Sequence, residues 1–189
     1  MPFARALLTV FFLLALTPAL QAAPPEDEAP INTRFMLLNH YNETVTDRDF
    51  GDKFLLIYFG YTFCPDVCPT SMLELTQALK QLGDDAKRIQ PLFITVDPER
   101  DTPQVLREYL SYFHSDIIGL TGTPALIKRT ADNFRVLYEK IFVPGLPRDE
   151  YQMDHGAGVF LIAPDGRLLV KFIYGASAAD MAKRIREFF

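Results

Sequence analysis

Cys64 and Cys68 are the chain's two cysteines, and both fall inside Phe59-Gly-Tyr-Thr-Phe-Cys-Pro-Asp-Val-Cys-Pro-Thr-Ser-Met72. Two thiols at this spacing can close a structural disulfide, work as a redox couple, or ligate a soft metal. In an oxidising compartment two cysteines ordinarily pair. A disulfide across so short a loop removes little chain entropy, which argues against a purely structural role. The pair also stands at the entry to an apolar helix, where unpaired backbone N–H groups and the helix dipole favour a thiolate. A readily ionised thiol serves metal ligation and disulfide exchange alike.

His155 supplies a third group. Asp154-His155 stands just ahead of the apolar run Val159 to Ile162, a position that can face the thiol loop across an α/β sheet. Two thiolates and one imidazole form a soft, open donor set that suits copper(I), while copper(II) can add an oxygen ligand such as water. Zinc is the competitor, since two cysteines, one histidine and an open position also describe a catalytic zinc site. A histidine before a strand can equally be a structural hydrogen-bonder. His40 falls in a turn and reads as solvated, and Met72 falls on a helix's apolar face and reads as core.

These groups need a scaffold, and the pattern supplies one. Phe54 to Phe59 is apolar at successive positions, as in a strand covered on both faces. The thiols therefore follow a strand's carboxyl end, where open α/β sheets place their sites. Pro69 predicts a helix starting at about its own position, with Met72, Leu75, Leu79 and Leu82 on one face and Gly83 ending it. Ahead of this, Arg34 to Leu38 and Thr44 to Thr46 predict a hairpin with Asn42 in its turn. Beyond it, Ile89 to Val96 is a second buried strand. Thr102-Pro103 and Thr123-Pro124 are cap signals for helices reaching about Phe113 and Phe134, with a short strand at Ile117 to Leu120 between them. Arg135 to Ile141 alternates like a strand, and residues 142–151 read as an exposed loop or hairpin extension. Gly158 to Ile162 and Arg167 to Phe172 flank Pro164-Asp165-Gly166 as a hairpin. Ser177 and Asp180 form a capping box for a closing helix. The fold class is α/β, a thioredoxin-like fold: a central mixed β-sheet flanked by helices, with an N-terminal β-hairpin.

The chain has 189 residues, 49% hydrophobic and 23% charged, enough for one domain with a substantial core. A formal charge of −5 with no cluster of Lys and Arg excludes nucleic acid as a partner. Residues 1–22 have the layout of a secretory signal peptide: Arg5, an apolar run from Ala6 to Leu16, then small residues. That run is shorter than the roughly 20 residues of a membrane span. Cleavage near Ala22 is expected, with retention as an N-terminal membrane anchor as the alternative. Residues 23–33 form a Pro-rich acidic linker and residues 34–189 the thioredoxin-like domain, placed in the periplasm or another extracytoplasmic compartment.

The strings FGYTFCPDVCPTSM, ITVDPERDTP, GLTGTP and MDHGAGVFLIAPDGRL resemble the Sco/SenC family of copper-binding proteins, in the family's order, from about Arg34 to Phe172. In that family the cysteines of C-P-x-x-C-P and the histidine of D-H bind copper, which corresponds here to Cys64, Cys68 and His155. The resemblance implies a metallochaperone that delivers copper, as Cu(I) or Cu(II), to the CuA site of cytochrome c oxidase subunit II. It also implies a thiol-disulfide oxidoreductase as the alternative, reducing that subunit's cysteines through Cys64 and Cys68. Other periplasmic copper chaperones or thiol reductants are the further implied partners. Asp97, in the V-D-P-E-R-D segment, and Asp154 are candidates to orient the donors from outside the donor set. Asp97 has a competing role in capping the turn before Thr102. Thioredoxin-like enzymes place a cis-proline where this chain has His155, and that exchange favours metal binding. The chain departs from the family in carrying Phe63 where many members have a polar residue or histidine, and in its short N-terminal apolar run.

Overall fold

Successive apolar residues from Phe54 form strand β3 (Phe54–Gly60), in which Leu56, Ile57, Tyr58 and Phe59 have no exposed surface. Only a strand in a sheet's interior buries consecutive residues, because neighbouring side chains point to opposite faces. β3 lies parallel to β4 (Ile89–Thr95), which lies parallel to β5 (Ile118–Thr121). On its other side β3 pairs antiparallel with β8 (Val159–Ile162), and β8 with β9 (Leu168–Phe172). The predicted hairpin, β1 (Met36–Asn39) and β2 (Thr44–Thr46), joins antiparallel to β5. Asn42 adopts the positive φ its turn requires, 67°. Among the described residues the sheet has the order β2-β1-β5-β4-β3-β8-β9.

The structure is a computed structural model that describes residues 30–142, 144–145 and 147–189. The expected signal peptide or anchor and linker residues 23–29 lie outside the described residues. Asn32 and Thr33, on the linker side of the expected boundary, are already tied to the fold. Asn32 Nδ2 donates to Asn133, and the buried Thr33 Oγ1 donates to Gly166 O at 2.6 Å. No helix of the described residues is long and apolar enough to cross a membrane.

Helix α1 (Val67–Leu82) follows β3 and packs against α4 (Ala178–Arg186). Both α2 (Pro103–Leu110) and α3 (Pro124–Asn133) start at the predicted Thr-Pro caps, with Thr102 and Thr123 Oγ1 each accepting a first-turn N–H at 3.3 Å. α2 stops at Leu110, short of the expected Phe113. The mixed sheet flanked by helices is the thioredoxin-like arrangement read from the sequence. Phe59, Phe134 and Phe160, with ring centroids 5.3 to 5.8 Å apart, join β3, the end of α3 and β8 in one aromatic cluster.

Three local readings change. α1 begins at Val67 rather than Pro69, which puts Cys68 inside the first turn and Pro69 at the third helical position. First-turn N–H groups have no partner within the helix, so proline loses nothing there. His40 is buried, not solvated: its Nδ1 accepts from Gly119 N at 2.8 Å, and its carbonyl accepts from Arg107 at 2.7 Å. The alternating stretch after α3 is a two-stranded sheet of its own, β6 (Tyr138–Ile141) with β7 (Gln152–His155). His155 therefore ends a strand instead of standing free ahead of β8.

Candidate metal centre

β3 ends where its glycine must be a glycine. A Cβ on Gly60 would stand 2.7 Å from Tyr58 Cε1, 3.1 Å from Phe93 Cε2 and 3.2 Å from Cys68 Sγ. The chain then turns through residues 61–66 into α1. Cys64 is half-buried and Cys68 wholly buried, and neither is in a disulfide. Cys64 Sγ accepts the Cys68 backbone N–H at 3.4 Å, so the sulfur takes one of the helix's unpaired donors.

The two sulfurs share a proton unequally. The Cys68 thiol donates to Cys64, and the backbone N–H groups of Asp66 and Cys68 add to it, which holds the Cys64 thiol down at about 5. Cys68 is pushed the other way, because its proton serves Cys64 and because it is buried. The two shifts favour Cys64 as the thiolate of the pair and Cys68 as its thiol.

His155 faces this pair. Its Nε2 stands 3.4 Å from Cys68 Sγ, while Nδ1 stands 3.3 Å from Gly156 O. Burial lowers its pKa, so the ring is neutral at pH 7 with a lone pair to offer. Tyr61 meets the ring edge-on at a centroid distance of 5.8 Å, and Tyr58 does so at 6.4 Å. On the solvent side His155 lines a cleft of about 510 Å³ with Leu137, Tyr138, Glu139, Asp154 and Gly156. Among the described residues no three His, Cys, Asp or Glu side chains converge tightly enough to enclose an ion as they stand. The contacts run in a chain instead, Cys64 to Cys68 to His155.

Of the two flanking carboxylates, Asp97 is fully buried and accepts from Arg100 Nε at 2.5 Å and from Tyr151 Oη at 2.7 Å. Its carbonyl also accepts from Arg100 N and Asp101 N, so the turn before Thr102 is closed by the backbone and not by the carboxylate. Asp154 is exposed, and it is Gly156 O, not Asp154, that stands beside His155 Nδ1.

Sequence reasoning missed Asp101, Arg100, Tyr58 and Tyr151. Asp101, fully buried, accepts from Thr62 Oγ1 and Thr95 Oγ1, both at 2.6 Å, and from Thr62 N at 3.1 Å. Burial raises its pKa against those bonds. It fixes the backbone two residues ahead of Cys64. Tyr58 Oη is buried beside Cys68 and Ser71 with no partner at bonding geometry among the described residues. The one usable signal was the charge density of Asp97-Pro-Glu-Arg-Asp101 directly after a wholly buried strand.

Comparison with known proteins follows the same lines. The SCO1/SenC family model matches residues 23–189. The SCO2-like protein of Rickettsia felis is 40% identical over 162 residues, covering 85% of this chain and 78% of the relative. The structure of Bradyrhizobium japonicum ScoI with copper bound superposes with a TM-score of 0.76 at 38% identity, over 84% of this chain and 99% of that one. Yeast Sco1 with copper bound gives 0.76 at 34% identity, over 84% of this chain and 88% of that one.

Proposed function

Because the chain belongs to the SCO1/SenC family, we propose that it is an extracytoplasmic copper carrier whose donors are Cys64, Cys68 and His155. The observation that carries this reading is the run of soft donors: a Cys64 thiolate capping α1, a Cys68 thiol bonded to it, and a neutral His155 imidazole 3.4 Å from Cys68. Copper brings a soft positive charge that takes the place of the proton shared by the two sulfurs. When that proton leaves, Cys68 becomes a second thiolate in a buried place, and the unpartnered Tyr58 hydroxyl beside it is a donor for the new charge. His155 lines an open cleft, so in this reading a partner's ligands approach the cargo from the histidine's side.

The recipient in this reading is the CuA domain of cytochrome c oxidase subunit II. Transfer proceeds by ligand exchange, the recipient's thiolates replacing Cys64 and Cys68 one at a time. Solved relatives carry copper in the same fold. The test is transfer from copper-loaded protein to an apo CuA domain, followed by the appearance of the recipient's spectrum. Wild-type protein should bind about one copper with sulfur-to-copper charge-transfer absorption. A His155→Ala variant with unchanged copper(II) affinity and spectrum would sink the three-donor site.

A second reading draws on the unequal thiols. An accessible Cys64 thiolate with a bonded Cys68 thiol behind it is the arrangement of an attacking and a resolving cysteine. The Cys64 thiolate attacks a sulfur of the recipient's disulfide, giving a mixed disulfide and a departing thiolate. Cys68 then attacks Cys64, leaving the recipient with two thiols and this chain with a Cys64–Cys68 disulfide. If the transfer assay yields a reduced recipient while copper must come from elsewhere, this reading replaces the first.

A further inference from the structure

The candidate site has two halves, and one five-residue turn touches both. Among the described residues β6 and β7 form a strand ladder only with each other. The strand that ends in His155 is therefore not anchored to the seven-stranded sheet by any ladder. Its place relative to the cysteines rests on the three-residue link from His155 to β8 and on side-chain contacts.

Arg100 is the largest of these links. Its Nη1 donates to Tyr151 O at 2.9 Å, one residue ahead of β7, and its guanidinium lies 3.8 Å over the Tyr151 ring. The same guanidinium lies 4.8 Å over the ring of Phe63, the residue before Cys64, and 5.9 Å over Tyr61. Its Nε is held by the buried Asp97, whose other oxygen takes the Tyr151 hydroxyl. Next to it, Asp101 pins Thr62 and Glu99 pairs with Lys140 of β6 at 2.6 Å. A planar cation with five donors can bond in its plane and stack on both faces, which a lysine cannot reproduce.

We infer that Arg100 is a positioning residue, clamping the β6–β7 hairpin to the thiol loop so that His155 is held at a fixed distance from Cys64 and Cys68. The inference rests on the three-donor reading only where it concerns copper. Mechanically it concerns the hairpin itself.

Two measurements on the full chain test it. In the copper-free protein, Arg100→Leu should speed amide exchange in residues 138–141 and 152–155 about ten-fold or more while β3, β4 and α1 keep wild-type protection. With copper(II), the same variant should bind about ten-fold more weakly or worse, the scale on which an outer partner of a ligating histidine acts. Its nitrogen coupling in electron paramagnetic resonance should shift toward that of His155→Ala. Arg100→Lys should recover little of either, and Tyr151→Phe, which removes only the bond to Asp97, should give a smaller change in the same direction. If Arg100→Leu does not fold, Arg100→Lys and Tyr151→Phe carry both measurements. Wild-type exchange in the hairpin of whichever variants fold overturns the clamp. Copper binding that is insensitive to His155→Ala instead overturns the three-donor reading, and the exchange rates still decide the clamp.

Discussion

The unequal thiols make a quantitative prediction about alkylation. Cys64, held at about 5 against an ordinary value of 9.0, should be alkylated with a pH midpoint near its own value and a plateau above it. At pH 6 roughly nine-tenths of Cys64 is thiolate, against about one part in a thousand for an ordinary thiol, a gain near 900-fold. A thiolate of lower basicity is a weaker nucleophile, and four units at a Brønsted slope of 0.4 to 0.5 return roughly 40- to 100-fold of that gain. The net expectation is reaction about ten-fold faster than a simple thiol at pH 6, with little further rise to pH 8. Cys68, fully buried and with its own ionisation pushed up, should stay unmodified on this timescale. The assay is pseudo-first-order alkylation of the reduced, metal-free protein with iodoacetamide from pH 4 to 9, with peptide mass spectrometry to locate the label. A rate still climbing ten-fold per pH unit at pH 7 to 8, or a label found first on Cys68, would refute the shared-proton description.

Three further outcomes follow from particular contacts. His40 is buried as an acceptor for Gly119 N, and burial and Arg107 lower its pKa below 6.5, so the folded state binds its proton less well than the unfolded state. That contribution to stability is present above pH 6.5 and is lost as pH falls through it; denaturant melts at pH 7.5 and 5.5 should show a larger loss in wild type than in His40→Gln, which keeps the losses from His155 and Cys64. Gly60→Ala should cost about 1 to 3 kcal/mol by overpacking, read as a lowered Tm, and should disturb the Cys64 alkylation profile, because the new methyl meets Cys68 Sγ as well as Tyr58. Thr102→Ala removes the bond from Val105 N and should cost about 1 kcal/mol in denaturant melts, while leaving that profile unchanged.

Where local chemistry decides, the sequence was legible. β3 reads as buried from six apolar residues in a row, and both Thr-Pro pairs cap helices where they stand. Where the partner is distant, it was not. His40 looks like a turn residue until Gly119, 79 positions away, donates to it. Asp101 looks like one charge among several until Thr62, 39 positions back, is found bonded to it. The α1 boundary failed for a different reason: proline suits more than one position of a first turn, so Pro69 marks the neighbourhood of a helix start and not its first residue. His155 was singled out for its type and its place near β8, yet the hairpin that carries it follows from the pairing of Tyr138–Ile141 with Gln152–His155, which alternation alone does not specify.

The antiparallel entry of β8 beside β3 has a consequence in time. A chain made from its N-terminus presents Cys68 a full 87 positions before His155. β3 gains its β4 neighbour early, but its other edge stays open until Val159–Ile162 emerges. For about half of its synthesis, from Cys68 to Val159, the chain is thus a dithiol beside an unpaired strand edge, a target for oxidants and for other chains. Only a chain made past His155 can set an imidazole beside the two sulfurs, so any step that needs all three groups together waits until β7 is made, and until then the thiols have no such neighbour.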